Sequence, residues 1–246
     1  FSATADDITV VDGVGGLTLG DIDAGGLFNA TSTAGAIAQA ANTTIAVDGV
    51  TTLVAEEDDG NGNQVPANIT LDGATNDFGG VVNADGDNIT LTDTNALTLG
   101  TVTANGNLDL QSTGDLDLGT STVGGDLTAN SGNGNITQAG TLTVSGSTDL
   151  TAGTGSITLT DASNDLGTFS ATANDITVVD GVGGLTLGNV DAAGLFNATS
   201  TAGAIAQVQS TSIAVDGVTT LVASNGATPT PTVYDITLND ANNDFG

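Results

Sequence analysis

Six amino acids are missing from this chain: none of its 246 residues is Lys, Arg, His, Cys, Met or Trp. Without cationic side chains it cannot displace counterions from phosphates, which excludes nucleic-acid binding, and an anionic membrane surface does not attract it. Without Cys it forms no disulfides, and without Cys or Met nothing in it oxidises easily. Trypsin-like proteases find no cleavage site. The composition suits an extracellular environment that contains proteases and oxidants, although compositional drift in an acidic repeat protein would give the same pattern.

The residues that are present carry charge of one sign. The chain has 29 Asp and Glu residues and a formal charge of −29. Hydrophobic residues make up 38% of it, which is compatible with a packed interior. They are mostly small or β-branched, which favours many thin β-layers over one thick core. No apolar run approaches the length of a membrane span, and no signal peptide is recognisable.

A long repeat of about 168 residues organises the chain. Residues 1–78 match residues 169–246, and the stretch 1–55 differs from its counterpart 169–223 at eight positions. Two variable loops, 56–68 and 224–235, interrupt the match. Because the chain starts and stops within the pattern, we interpret residues 1–246 as one continuous segment of a longer repeat protein.

A shorter repeat, of about 19–20 residues, indicates the fold. Two rows of apolar residues follow this spacing: Ile69, Ile89, Leu108 and Leu127 in the first, and Phe78, Leu97, Leu116 and Ile136 in the second. Apolar and polar side chains alternate around these residues, which indicates strands with one buried face. Gly, Asn and Asp, which tolerate turn conformations, separate the strands. We expect each row to point inward and to stack in a column of its own.

This spacing favours a stack of coils over a sandwich or a barrel, because only a stack requires the same residue type at the same place in every coil. We predict an all-β fold, a right-handed parallel β-helix (β-solenoid) with about 19–20 residues per coil, since parallel crossovers are right-handed almost without exception. About twelve coils at ~4.8 Å per layer would give a rod of roughly 58 Å. The two variable loops occupy equivalent coils, so we expect them to protrude from the same face.

The phrases NITLTDTNALTLG at 88–100 and DASNDLG at 161–167 resemble the β-strand repeats of giant secreted bacterial proteins, the filamentous-haemagglutinin-like adhesins. The resemblance extends over essentially the whole chain, but it consists of the sequence pattern of the repeats and includes no site motif. It implies a β-helical shaft, export to the cell surface, and a role in adhesion, biofilm or sheath. The chain departs from this pattern in lacking every basic residue, which argues against binding of acidic host glycans.

The only catalytic group that this composition allows is a pair of carboxylates, as in glycosidases. Nucleophilic triads, lysine bases and imidazole metal sites need residues that are missing. Close acidic pairs occur at Asp21/Asp23, Asp85/Asp87 and Asp115/Asp117. Alternate strand residues project outward, where charged residues belong, and Asp21 becomes Asn189 in the second copy. We predict no catalytic residues and no enzyme activity.

Calcium is the ligand that the composition favours, because hard cations take carboxylate and carbonyl oxygens. The spacing Asp59-x-Asn61-x-Asn63 starts like an EF-hand loop, but Gln64 and Thr70 stand where Gly and Glu are required. A specific site there stays open against a solvated acidic loop, and the metal ligands are left unassigned. No cofactor is required, and diffuse or bridging Ca²⁺ is expected, because roughly one charge per 2 Å approaches the charge density of duplex DNA.

Threonine pairs raise the question of an ice-binding face, since such faces are flat threonine ladders on β-solenoids. The pairs are Thr90/Thr92, Thr101/Thr103, Thr120/Thr122 and Thr141/Thr143. Their spacing does not place them at a constant coil position, and Thr is a common strand residue. We therefore expect no ice-binding plane.

Two hypotheses about function remain open. In the first, the chain is a structural shaft segment of a secreted bacterial extracellular fibre, sheath or stalk, which the near-identity of the two copies favours. In the second, it is an adhesin module that binds a surface or glycan partner through its variable loops, since insertions in solenoids often gather on a binding face. The expected partners are further coils of the same protein end to end, and like fibres side by side through divalent cations. The expected location is extracellular or on the bacterial cell surface.

Overall fold

The computed structural model describes residues 1–246 and contains 31 strands and no helix. It therefore has no helical segment that could cross a membrane. Every pair of strands is parallel except β8 with β9. The strands are β1 (Ala3–Ala5), β2 (Ile8–Asp12), β3 (Leu17–Leu19), β4 (Ile22–Ala24), β5 (Phe28–Ser32), β6 (Ile37–Gln39), β7 (Ile45–Val47), β8 (Thr51–Asp58), β9 (Gln64–Pro66), β10 (Ile69–Leu71), β11 (Asp77–Phe78), β12 (Val81–Gly86), β13 (Ile89–Thr92), β14 (Leu97–Ala104), β15 (Leu108–Gln111), β16 (Leu116–Asp117), β17 (Thr120–Val123), β18 (Leu127–Asn130), β19 (Ile136–Thr137), β20 (Leu142–Val144), β21 (Ser147–Thr151), β22 (Ile157–Leu159), β23 (Thr168–Ala173), β24 (Ile176–Asp180), β25 (Leu185–Ala192), β26 (Phe196–Ser200), β27 (Ile205–Gln207), β28 (Ile213–Val215), β29 (Thr219–Ala223), β30 (Ile236–Thr237) and β31 (Asp244–Phe245).

These strands form a parallel β-solenoid of about 11 coils, which confirms the predicted fold class. Each coil passes three faces, here called A, B and C, in the same order. Face A contains β1, β4, β7, β11, the start of β14, β16, β19, β22, β24, β26 and β29. Face B contains β2, β5, β8, β12, the end of β14, β17, β20, a single bridge at Asp165, the start of β25, β27 and β30. Face C contains β3, β6, β10, β13, β15, β18, β21, β23, the end of β25, β28 and β31.

The first predicted column is confirmed in full, and the second in three of its four members. Ile69, Ile89, Leu108 and Leu127 are successive strand partners and are buried. Leu97, Leu116 and Ile136 are likewise partners and buried. Phe78 is also buried on face A, but its strand partner is Val47. Its backbone N–H donates to the Asp93 carboxylate at 2.8 Å, so the ladder from Phe78 to Leu97 is interrupted.

The length of a coil varies with its corners. The predicted spacing holds from Ile69 to Leu127, where the turns are short. In the first coils the step from Phe28 to its partner Thr51 is longer. The step from Thr51 to Val82 is longer still, because a hairpin is inserted at the corner between them. Strand pairing is kept in both cases, so corners absorb extra residues whereas the inward columns do not change.

The long repeat does not contain a whole number of coils. Leu17 lies on face C of the first coil, and its counterpart Leu185 lies on face B of the ninth. Likewise Ile8 lies on face B and its counterpart Ile176 on face A. The second copy therefore lies about seven and two-thirds coils after the first, rotated by one face.

Three pairs of amide side chains close the longer turns. In each pair a Gln and an Asn of a later turn exchange two N–H···O bonds of 2.7–2.9 Å: Gln39 with Asn76, Gln138 with Asn164, and Gln207 with Asn243. Each Asn oxygen also accepts a backbone N–H, from Ile45, Leu142 and Ile213 respectively. One pair lies at each of the three corners. Because buried polar groups need partners, these satisfied amides fix the path of the turn beside the apolar core.

Candidate binding loops and surfaces

The first variable loop is an antiparallel hairpin that projects from the corner between faces B and C. Glu56, Glu57 and Asp58 of β8 pair with Pro66, Val65 and Gln64 of β9. At its tip the Asp58 carboxylate accepts the N–H groups of Gly60 and Gly62, at 2.7 and 3.1 Å. The sequence predicted a variable loop here but not a hairpin, because its Gly- and Asn-rich tip interrupts the alternation of a strand.

The second carboxylate at the hairpin tip, that of Asp59, also accepts hydrogen bonds from within the loop. Asp59 accepts the backbone N–H groups of Asn61 and Asn63, at 2.8 and 3.2 Å, and the Asn63 side-chain amide at 3.0 Å. These hydrogen bonds, that of the Asn63 side chain first, lower the pKa of Asp59 to about 2. No group of three or more acidic side chains converges in a metal-binding arrangement, here or elsewhere. The arrangement is that of an acidic loop held by its own backbone.

The second variable loop, residues 224–235, lies at a different corner. It joins β29 on face A to β30 on face B and is closed by an antiparallel bridge from Ser224 to Val233. The prediction that both loops protrude from one face is therefore wrong. The reason is the fractional coil count of the long repeat, which turns the second loop by one corner relative to the hairpin.

In each predicted acidic pair, at least one carboxylate accepts a hydrogen bond from its own turn or from the next coil. Asp115 accepts the backbone N–H of Asn135 from the next coil at 2.7 Å, and Asp117 accepts that of Gly119 at 2.8 Å. Asp21 accepts the backbone N–H of Thr44 at 2.9 Å, whereas Asp23 points outward on β4. Asp85 and Asp87 sit on β12 and on the turn after it, and Asp87 accepts the Asn88 amide. Asp21 and Asp115 thus bond to the next coil, whereas Asp87 and Asp117 bond within their own turns.

Two carboxyl groups that the sequence did not single out are buried. Asp93 accepts backbone N–H groups from Phe78 and Asn95, at 2.8 and 2.7 Å. Asp180 accepts those of Leu166 and Val182, at 3.2 and 3.1 Å. Burial raises the pKa of Asp93, and it raises the pKa of Asp180 to about 6. The sequence signal is the earlier turn Asn-Asp-Phe at 76–78 or Asn-Asp-Leu at 164–166, whose third residue donates its backbone N–H to the buried carboxylate.

Three of the four threonine pairs stack in register, contrary to expectation. Thr101 and Thr103 of β14 lie beside Thr120 and Thr122 of β17, and Thr122 pairs with Thr143 of β20. Thr141 lies beside Thr120, because the N–H of the neighbouring Ser121 bonds to its carbonyl at 3.1 Å. We call these six residues the threonine grid. Unequal spacing between its rows concealed it in the sequence, because the extra residues lie in a corner.

Concave space on the rod is scarce. The larger of two surface depressions holds about 190 Å³ and is lined by Gln138, Ala139, Gly140, Thr160 and Asp161. Ligand pockets are typically about 300–1,000 Å³ and mostly apolar. This polar depression at the corner between faces A and B is smaller than such pockets. Contacts with a partner would therefore use loops or flat faces.

Comparison with known proteins gives a family but no activity. A family model described as repeats of unknown function (DUF5649) matches residues 5–85, 86–117, 109–173 and 173–246, which together include nearly the whole chain. No curated protein matches the chain, and no solved structure does.

Proposed function

We propose that this chain, which belongs to the family of repeats of unknown function (DUF5649), is a structural shaft segment of a secreted bacterial extracellular fibre, sheath or stalk. The observation that carries the proposal is the continuity of the core. The buried apolar side chains of all the coils join into one hydrophobic cluster of 54 residues, although the strand ladder is interrupted between Phe78 and Leu97. Such a stack gains stability from each neighbouring coil, so repetition lengthens it without a change of design.

The surface supports a passive role. The depressions are small, and in each acidic pair at least one carboxylate is hydrogen-bonded to its own turn or to the next coil. We propose that the chain has no enzyme activity and needs no cofactor. The resemblance of its repeats to filamentous-haemagglutinin-like adhesins supports the extracellular location, as do the missing protease sites and oxidisable residues.

An adhesin module is the second candidate, and the two variable loops favour it. The hairpin and the loop at 224–235 differ in sequence and in shape, although they occupy equivalent places in the long repeat. Because they project from different corners, a fibre would present them in different directions. A binding partner would then be a surface or glycan reached from several sides, and deletion of the loops would abolish its binding without loss of the rod.

Lateral bundling of such fibres should depend on cations. With −29 charges on about 11 coils, a rod of roughly 53 Å carries about one charge per 2 Å. We expect millimolar Ca²⁺ at low ionic strength to raise the light scattering of the protein, with carboxylates such as Asp115 and Asp117 binding the ions collectively. Addition of EDTA should reverse the scattering and leave the β-sheet circular dichroism unchanged, because the apolar columns need no metal.

Each of two other outcomes would contradict this account. If the circular dichroism collapses in EDTA, calcium is a structural part of the coil. If scattering at low salt stays high in EDTA, repulsion between carboxylates does not limit bundling. Magnesium serves as the matched control, because a diffuse counterion effect does not distinguish strongly between the two divalent ions.

A further inference from the structure

The threonine grid is a regular surface with unused hydrogen-bonding groups. Its six side chains alternate with the buried residues Val102, Ser121 and Leu142, so they point outward. Neighbouring rows are ~4.8 Å apart along the rod and the two columns ~7 Å apart. The hydroxyls of Thr113 and Thr148 donate to backbone carbonyls, whereas none of the grid hydroxyls bonds within the chain. The grid therefore presents hydroxyl and methyl groups to a partner.

The grid is also free of charge in a strongly acidic rod. In its three coils, face A presents Asp117 and face C presents Asp109 and Asp149. Face B presents no carboxylate there, and Asp85 and Asp165 lie just beyond its two ends. Like charges directly opposite each other across an interface cost several kcal/mol. Two rods that meet at the threonine grid therefore bring no carboxylates directly opposite each other.

We propose that the threonine grid is a lateral contact surface for a second copy of this chain. A second coil stack has the same ~4.8 Å period, so its side chains match the grid row by row. Flat sheets with small side chains pack about 10 Å apart by interdigitation, as in steric zippers. This inference rests on the proposed fibre role and names the face by which fibres associate. Cations are then needed to screen the acidic faces but not to bridge the contact.

The size of the grid limits its affinity. Three rows and two columns amount to roughly 200 Å², whereas a stable protein interface buries about 800 Å² on each partner. A single segment should therefore associate weakly, and a long fibre should associate through many such contacts at once. The measurement must detect weak self-association of the whole chain.

Sedimentation equilibrium in 1 M NaCl with EDTA tests the proposal, because this buffer screens repulsion and removes divalent ions. We expect the chain to self-associate, and Thr122→Glu, which places a charge at the centre of the grid, to raise the dissociation constant at least about tenfold. Thr128→Glu is the matched control on face C and should not change it. Circular dichroism checks that both variants keep the fold.

A monomeric chain in this buffer would overturn the proposal, as would equal weakening by the two substitutions. A chain that is monomeric but shapes ice crystals, and loses this effect on Thr122→Glu, would assign the grid to ordered water instead. None of these results bears on the fibre role, which chelation and microscopy test separately.

Discussion

Replacing Leu108 by Asp is expected to divide the rod into two weakly coupled parts. Leu108 is fully buried between its strand partners Ile89 and Leu127. A carboxylate at this position finds no cationic partner, because the chain contains no Lys, Arg or His. Burial of an unpaired charge and loss of the apolar contacts should cost at least about 4 kcal/mol. Coils beyond the nearest neighbours keep their own stacking, so unfolding should become biphasic.

The neighbouring residue supplies the control. Asp109 points outward on the same strand, so Asp109→Leu should change the free energy of unfolding by no more than about 0.5 kcal/mol. Urea unfolding followed by circular dichroism measures both variants. Equal destabilisation by the two substitutions, or a Leu108→Asp variant as stable as the parent chain, would contradict the assignment of inward and outward positions.

Acidification from pH 7 to about pH 4.5 is expected to stabilise the protein. The pKa of Asp180 is about 6 in the folded chain against an ordinary value of 3.8, so between these values the folded state binds more protons. Its unfolding free energy therefore falls as pH rises through the folded pKa and is highest below 3.8. The contribution of Asp180 should be on the order of 2 kcal/mol after allowance for solvent screening. The raised pKa of Asp93 acts in the same direction.

Other groups act in the opposite direction only at lower pH. Hydrogen bonds lower the pKa of Asp59 and of Asp126, so any stability that they provide is lost below pH 3.8. The test is the urea midpoint between pH 7 and pH 4.5. Asp180→Asn should remove much of the pH dependence, whereas Asp191→Asn, which changes an exposed carboxylate, should retain it. A midpoint that falls on acidification, or an unchanged slope in Asp180→Asn, would refute the role of this buried group.

The sequence predicted the inward columns well because a coil stack imposes them directly. Leu108 and Leu127 must occupy the same place in successive coils, and the constant spacing of their row reveals this. Corners obey no such rule. The extra residues between Thr120 and Thr141 hid the threonine grid, and the prediction that Phe78 stacks on Leu97 overlooked the turn that Asp93 holds.

The candidate surfaces were harder to predict than the fold. The loops 56–68 and 224–235 were recognised from the mismatch between the copies. Their directions depend on the number of coils between the copies, about seven and two-thirds, and this number cannot be counted from the sequence because coil length varies. Asp180 was missed because its counterpart in the first copy, Asp12, looks like any turn residue. Its carboxylate accepts the backbone N–H of Leu166 in the preceding coil, a long-range contact that the local sequence does not reveal.

Cryo-electron microscopy of native material that contains this chain tests the central claim most directly. A shaft of stacked coils predicts a continuous filament with a strong layer line near ~4.8 Å along its axis. Density for the hairpin and for the second variable loop should project from different corners along the shaft. A chain found only in a globular tip, or in filaments without this axial spacing, would contradict the account.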